Sequence, residues 1–425
     1  MNLIKSIFQH IKNYSLANLF GKGANVFTFL LIAKVFSVEE FAQYITLMII
    51  IELLLVFLLF GVDSYLMRAQ NTYTFDITIE FIKLNAILTL IIFTSISLLY
   101  SLNLLTSSNF LLFFALNIYL FFRVFEKFFN NYLIRTQQSK EFLKITFIIS
   151  YSQLLLVMIA YYFNFLNITS YFFLLSTAIF ILISFALLKL RKENVISPKT
   201  AIFNLRSEII ISSIRAASPF LGKNIIGSFS LYSSRILLAV FASPVELAAY
   251  GFYLGLYFKA IGLMSIVSAT FIPMMKDRIH QIKKLQTILK KYELLYLLFV
   301  LLLTLGLFIA YNNSSFIQNM LSTIIKSEYL ELINIGFIFI LCFFTSLTII
   351  FYDFWQYSLE NVAKKIIIIS STVSILSVSG YAVIVQTYGT TEIALYYLLM
   401  NLLMLFISRR LFYQIKPINE NTKYE

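Results

Sequence analysis

Five basic residues stand inside long apolar runs of this sequence: Lys22, Arg123, Lys223, Arg235 and Lys259. A cation at the centre of a membrane-spanning helix costs on the order of 2.5–3.5 kcal/mol, so such residues normally face a water-filled cavity or a partner. Lysine and arginine bind phosphate through charge and hydrogen bonds. These residues therefore predict a cavity that binds an anion, with diphosphates and acidic sugars as the natural candidates.

The five cations differ in their depth along the runs. Lys259 lies about twelve residues into its run, or ~18 Å at ~1.5 Å per residue, which is beyond the reach of a snorkelling side chain. Arg235 also lies several residues from the end of its run. For the other three, snorkelling or a local ion pair is an open alternative. Arg123 and Glu126 have the i,i+3 spacing that such a pair requires.

Acidic residues in the runs are fewer, and three of them are candidates for ion coupling or internal pairing. Glu52 lies near the middle of the second run, and Asp63 lies eleven residues further, within ~20° of the same face of an unbroken helix. We expect Asp63 and Asp353 to be interfacial. Glu52 is predicted to pair with Lys259, as an ion pair or a proton-coupling element.

Composition identifies a membrane protein. Of 425 residues, 60% are hydrophobic and only 12% are charged, with a mean hydropathy of +0.85. Soluble domains carry roughly a quarter charged residues. No Walker A motif, Gly-rich phosphate loop, His/Cys cluster or convincing catalytic triad is recognisable. We therefore expect a non-enzymatic protein with no metal and no cofactor, whose energy comes from a proton or sodium gradient or from consumption of the product.

The apolar runs predict an all-α membrane protein of twelve helices in two six-helix bundles. A polar gap at 190–215 separates the two sets, which gives predicted domains at 1–205 and 206–415, followed by a polar tail at 416–425. The runs fall at 14–36, 42–62, 81–101, 108–128, 142–163, 169–189, 216–240, 247–271, 289–311, 332–356, 365–386 and 391–411.

The basic residues near the ends of the runs or beyond them predict the orientation. If both termini are cytoplasmic, 26 of the 33 Lys and Arg residues lie on the inner side and only Lys34 and Lys326 on the outer side. This is the asymmetry of the positive-inside rule. It accounts for most of the net charge of +13 through topology and attraction to anionic lipids, so a nucleic-acid partner is not expected.

A short motif returns after 206 positions. Ser37, Glu40 and Tyr44 correspond at that offset to Ser243, Glu246 and Tyr250. Because each half has an even number of helices, the two copies have the same orientation, as in transporters built from parallel repeats. This arrangement predicts a substrate path between the two halves.

The same region resembles a known family. A first helix, a short acidic turn and a second helix that ends in Gly-hydrophobic-Asp-Ser resemble the Wzx-type O-antigen and polysaccharide flippases of the multidrug/oligosaccharidyl-lipid/polysaccharide exporter superfamily. The usual glycine of the turn is alanine here. The matching positions are Ser37, Glu39, Glu40, Phe41, Ala42, Tyr44, Gly61, Val62, Asp63, Ser64 and Arg68.

The resemblance implies a MATE-like fold and a flippase for undecaprenyl-diphosphate-linked oligosaccharide units of O-antigen, capsule or another surface polysaccharide. It implies alternating access in the bacterial cytoplasmic (inner) membrane, with a polysaccharide polymerase and other assembly proteins as partners. From charge placement, we assign Lys22, Lys223, Arg235 and Lys259 to head-group binding in a central cavity. Arg123 is assigned to the inner vestibule, and Glu52 to coupling.

Other functions are weighed against this one. A cation-coupled multidrug or metabolite antiporter of the same superfamily would show deep acidic groups, which the chain mostly lacks. A peptidoglycan lipid-precursor flippase would have an extra helix pair. A membrane glycan polymerase or ligase would need a large outer loop, and the longest predicted here is 312–331. A structural scaffold would not need five intramembrane cations.

Overall fold

A computed structural model describes residues 2–68, 74–102, 104–135, 138–192, 205–276, 282–357, 360–387 and 389–414. Within these ranges the chain forms helices and no strand, as the composition predicts. Twelve helices are long: α1 (Asn2–Val35), α2 (Val38–Leu58), α4 (Thr74–Ser101), α5 (Ser107–Arg135), α6 (Ser139–Tyr162), α7 (Ile168–Lys192), α8 (Ser207–Phe241), α9 (Pro244–Lys276), α10 (Ile282–Asn313), α13 (Ile333–Tyr357), α14 (Glu360–Thr387) and α15 (Thr390–Tyr413). Three are short: α3 (Val62–Arg68), α11 (Ser315–Ile324) and α12 (Ser327–Leu330).

The helices are those of a multi-pass membrane protein. In the described part of the chain, eight of them are long and apolar enough to cross a membrane by length and composition. Two further apolar stretches, in α7 and α14, are shorter. Many large apolar side chains on these helices are exposed, which is the surface that a bilayer covers.

The motif repeated at 206 residues forms the same local structure twice. The backbone N–H of Ser37 donates to Glu40 Oε2 at 2.9 Å, and the N–H of Glu40 donates to Ser37 Oγ at 3.1 Å. Ser243 and Glu246 make the same reciprocal pair, at 3.0 and 3.3 Å. Each pair is a capping box, which satisfies two backbone donors at the start of a helix. The two copies therefore begin α2 and α9 in the same way.

The chain divides into two compact units. The first contains residues 1–29 and 47–228, and the second contains 30–46 and 229–425. In the first unit, α5 packs against α3, α4, α6 and α7. In the second, α13 packs against α9, α10, α14 and α15. Because α5 and α13 are each the fourth long helix of their set of six, the same packing order occurs in both halves. The domain boundary at 205/206 stays a prediction, and the tail at 416–425 lies outside the described residues.

The second predicted run does not form one continuous helix. α2 ends at Leu58 and α3 begins at Val62, and between them Phe60 and Gly61 adopt positive φ angles of 52° and 72°. A Cβ on Gly61 would lie 2.5 Å from the backbone nitrogen of Leu221 in α8. The break therefore lets α8 approach closely, and glycine is the residue that tolerates it. The second run is therefore not one unbroken helix, and the continuous register from which a shared face of Glu52 and Asp63 was inferred is absent.

Candidate functional site

Arg123 on α5 is held between two carboxylates of the first unit. Its Nη1 donates a hydrogen bond to Glu126 Oε2, and its Nη2 lies 3.8 Å from Glu52 Oε1 on α2. The i,i+3 spacing allowed the pair with Glu126 as one of two alternatives, and the structure contains it. The Glu126 side chain is 13% exposed and that of Glu52 is 29% exposed. The shorter of the two contacts is therefore made by the less exposed carboxylate.

Lys22 on α1 belongs to the same group of charges. It experiences the positive charge of Lys127, which lies one turn beyond Arg123 on α5, and its own side chain is half-buried. Three cations and two carboxylates thus gather on α1, α2 and α5, with a formal sum of one positive charge. Glu52 and Glu126 offset much of the positive charge here, so an anion would meet a polar but nearly balanced surface.

Arg235 on α8 has a different environment, in the second unit. Its residue is only 7% exposed, and its guanidinium carbon lies 4.9 Å from the ring centre of Tyr232 and 5.2 Å from that of Phe258 on α9. Both distances are within the ~6 Å at which an aromatic face attracts a cation. The two rings orient the guanidinium of Arg235 and leave its formal charge in place.

The remaining predicted site residues are placed as follows. Lys259 follows Phe258 on α9 and is half-buried. Asp63 lies in α3, half-buried, with its backbone carbonyl accepting a hydrogen bond from Asn131 Nδ2 at 3.3 Å. Lys223 and Asp353 lie on α8 and α13, but their side chains are outside the described part of the chain. The pairing of Glu52 with Lys259 stays a prediction.

Sequence reasoning missed the ring pair around Arg235 and a buried ion pair in α4. Glu80 is 2% exposed, and its Oε1 lies 2.9 Å from Lys83 Nζ. The Glu80 carboxylate also accepts the backbone N–H of Arg206 at 2.9 Å, just before α8 begins. This carboxylate therefore fastens the start of α8 to α4. The i,i+3 spacing of Glu80 and Lys83 was a visible signal, but the sequence does not show that the pair is buried.

The described side chains can bind charge but do not form a metal centre. Among the residues that the structure describes, no group of three or more His, Cys, Asp or Glu is placed to hold a metal ion. What the described side chains present is a set of basic groups, Lys22, Arg235 and Lys259, and a carboxylate–guanidinium contact between Glu52 and Arg123.

Comparisons with known proteins identify the fold and the family. The chain superposes on a mutant of the Vibrio cholerae MATE transporter VcmN with a TM-score of 0.62, at 15% identity over 97% of both chains. An outward-facing multidrug resistance MATE family transporter of the MOP superfamily gives a TM-score of 0.60, at 12% identity over 95% of this chain and 94% of the other. At such identities the likeness shows the fold alone. No curated protein matches the chain significantly.

A sequence profile provides the family. Residues 8–279, more than half of the chain, match the profile described as polysaccharide biosynthesis protein. This match includes the first six long helices, with α1 from residue 8 onward, and the capping-box turns of both halves. It also includes all five basic residues of the apolar runs, which lie on α1, α5, α8 and α9. The twelve long helices and their repeated packing agree with the MATE-like fold that the resemblance implied. The chain belongs to the polysaccharide biosynthesis family and is a Wzx-like, multi-pass membrane transporter of the multidrug/oligosaccharidyl-lipid/polysaccharide exporter superfamily.

Proposed function

We propose that the protein is a flippase that moves an undecaprenyl-diphosphate-linked oligosaccharide from the inner to the outer leaflet of the bacterial cytoplasmic membrane. The observation that carries this proposal is the family match over residues 8–279, since polysaccharide biosynthesis in a membrane transporter requires a lipid-linked glycan as cargo. Both termini would be cytoplasmic, as the distribution of Lys and Arg suggests.

The charges support an anionic cargo. A diphosphate carries at least two negative charges at neutral pH, and arginine binds phosphate with paired, directed donors. Arg235 is buried yet oriented by the rings of Tyr232 and Phe258, which reduces the entropy lost when it binds. We assign Arg235, Lys259, Lys22 and Lys223 to head-group binding. Arg123 would line the cytoplasmic approach, where Glu52 and Glu126 moderate its charge.

Transport against a gradient would draw on protons or sodium through Glu52. This carboxylate is partly exposed and makes the longer of the two contacts to Arg123, at 3.8 Å. Loss of that attraction would leave the hydrogen bond between Glu126 and Arg123 in place. A change of charge at Glu52 would thus alter the α2–α5 contact, which is a means of linking ion binding to helix movement.

A second candidate is a cation-coupled multidrug or metabolite antiporter. It is favoured by the same Glu52–Arg123 contact and by the fold, since the superposed structures include a multidrug resistance transporter. It differs in the cargo, because organic cations need exposed acidic groups, whereas the second unit carries the basic residues Arg235 on α8 and Lys259 on α9.

Reconstitution in liposomes tests the proposal. The assay measures translocation of a fluorescent undecaprenyl-diphosphate-linked sugar by the wild type, Lys259→Ala and Arg235→Ala. We expect the wild type to translocate the lipid and both variants to lose at least about tenfold in rate, since each removes a charge-assisted contact. Leu399→Ala, an exposed position on α15, serves as the control.

The possible results separate the two candidates. Wild-type activity with unaffected variants would contradict the site assignment but leave the flippase proposal standing. No movement of the lipid-linked sugar, together with exchange of an organic cation for protons, would replace the flippase with the antiporter.

A further inference from the structure

An apolar groove lies within the second unit, between α9, α11 and α13. It encloses about 340 Å³. Its lining runs along α13 from Ile333 to Phe343, a distance of about 15 Å at ~1.5 Å per residue. Tyr253 and Ala260 on α9 define the facing side. The groove is therefore long and narrow, which is the shape of an extended chain.

The two tyrosines that line the groove direct their hydroxyls away from it. Tyr253 Oη donates to the backbone carbonyl of Tyr329 at 2.7 Å, and Tyr257 Oη is hydrogen-bonded to Ser346 Oγ at 2.7 Å. Their rings remain as apolar walls. A buried water needs two to four polar partners, and an apolar cavity of about 150 Å³ can stay dry and bind a hydrocarbon. The groove described here is larger and its lining is also apolar, so a hydrocarbon chain is the ligand that suits it.

Gly336 keeps the groove walls in place. A Cβ at this position would lie 2.8 Å from Cε1 of Tyr253, so a larger residue would push that ring from its position. α11 forms the remaining wall through Leu321. The helix is held there by Lys34, whose Nζ donates to the Ser322 carbonyl at 3.3 Å. The wall is thus part of the folded unit.

The ring of Phe258 contacts both the guanidinium of Arg235 and the ring of Tyr257, which lines the groove. Tyr257, which lines it, has its ring centre 5.2 Å from that of Phe258, and the Arg235 guanidinium lies 5.2 Å from the Phe258 ring centre. The two features match the two parts of a ligand that has an anionic head and a hydrocarbon chain. A neutral lipid would use only the groove, and a zwitterionic phospholipid offers Arg235 one phosphate charge where a diphosphate lipid offers at least two.

We propose that the groove between α9, α11 and α13 binds the first part of the polyprenyl chain of the cargo while Arg235 binds its diphosphate. This inference rests on the proposed function and adds a chain-binding site to it. The groove is large enough for a segment of the chain, and the rest of the chain would remain in the bilayer. Arg235 and the groove would together recognise an anionic polyprenyl lipid.

Photocrosslinking identifies the occupant. The full-length protein carries p-benzoyl-phenylalanine in place of Phe337, which lines the groove, or in place of Leu399, which is exposed on α15. Each is reconstituted in phosphatidylcholine nanodiscs with undecaprenyl diphosphate and irradiated, and the adduct mass is measured. We expect a polyprenyl adduct at position 337 and mainly phosphatidylcholine adducts at position 399.

Two substitutions that fill the groove from opposite sides sharpen the test. Ala260→Phe and Leu321→Trp should each lower the polyprenyl adduct at position 337 about tenfold, the factor expected when a few methylene contacts are lost. Met320→Trp changes the neighbouring residue, which is 51% exposed and does not line the groove, and should leave the adduct unchanged. An unchanged thermal-unfolding midpoint without ligand, together with a monodisperse gel-filtration profile, shows that each variant is folded.

The outcomes separate this proposal from the proposed function. Phosphatidylcholine alone at position 337, or a polyprenyl adduct that persists in both filled variants, would refute the chain site. If the wild type still binds undecaprenyl diphosphate in a thermal-shift assay, the flippase proposal survives that result. If the wild type binds no polyprenyl diphosphate, both proposals fail.

Discussion

Replacing Glu80 on α4 with methionine should destabilise the protein by about 3–5 kcal/mol, the usual result of leaving one buried charge without its partner. The Glu80–Lys83 pair has an N–O distance of 2.9 Å and side chains that are 2% and 9% exposed. At an effective dielectric constant of about 20, its attraction is about 6 kcal/mol before desolvation is subtracted. Because desolvation offsets most of that attraction, a matched apolar pair should be tolerated far better than either single change.

A double-mutant cycle with Glu80→Met, Lys83→Met and the double variant measures this coupling, by SDS-induced unfolding in mixed micelles. We expect the double variant to be at least about 2 kcal/mol more stable than the sum of the single losses predicts. Glu141 and Lys144 are the matched control, with the same i,i+3 order at 3.4 Å but side chains 26% and 67% exposed, and their pair should contribute less than about 1 kcal/mol. Additive effects at Glu80 and Lys83, within about 0.5 kcal/mol, would refute the reasoning.

Two further predictions concern the helix breaks and caps. Gly61→Ala should cost more than about 1–2 kcal/mol, because φ is +72° and the new Cβ would lie 2.5 Å from the Leu221 nitrogen; Gly227→Ala in α8, where a Cβ meets nothing within 4 Å, should be neutral or stabilising in the same unfolding assay. The N–H of Ser243, followed by its hydroxyl, lowers the pKa of Glu246, which precedes the apolar run at 247–271. The ionised Glu246 should therefore stabilise the fold fully above the ordinary glutamate pKa, and this stabilisation should be lost as the pH falls through the lowered pKa of Glu246. Thermal unfolding from about pH 6 to about pH 3 should show a steeper loss for the wild type than for Glu246→Gln, and equal slopes would contradict this role.

The sequence was sufficient for features that depend on local chemistry. Apolar runs of spanning length predicted the twelve long helices, since a helix that crosses a bilayer must satisfy all its backbone groups internally. The repeated motif predicted two equivalent halves because Ser and Glu three residues apart form a capping box wherever they precede a helix. Arg123 and Glu126 could be paired because one helix carries both.

Features that depend on packing between helices could not be predicted in this way. Phe258 reaches Arg235 from another helix, and Glu52 reaches Arg123 in the same manner. The pattern of apolar residues carries no information on the sign of φ, so the run at 42–62 did not reveal that the helix is interrupted at Gly61. The loop predicted at 312–331 contains α11, a ten-residue helix too short to be stable alone, whose exposed apolar face requires a membrane or the rest of the protein.

Glu52 shows how the structure narrows a role that the sequence left open. Sequence position alone allowed it to pair with Lys259 or to couple an ion, and the contact with Arg123 now gives it a partner on α5 of its own unit. Glu126 forms the shorter contact to the same guanidinium and is less exposed, so Arg123 remains neutralised when Glu52 changes its charge. A change of charge at Glu52 therefore leaves no buried cation without a partner and avoids the penalty of an unpaired charge. This difference is the reason that we propose Glu52, and not Glu126, for ion coupling.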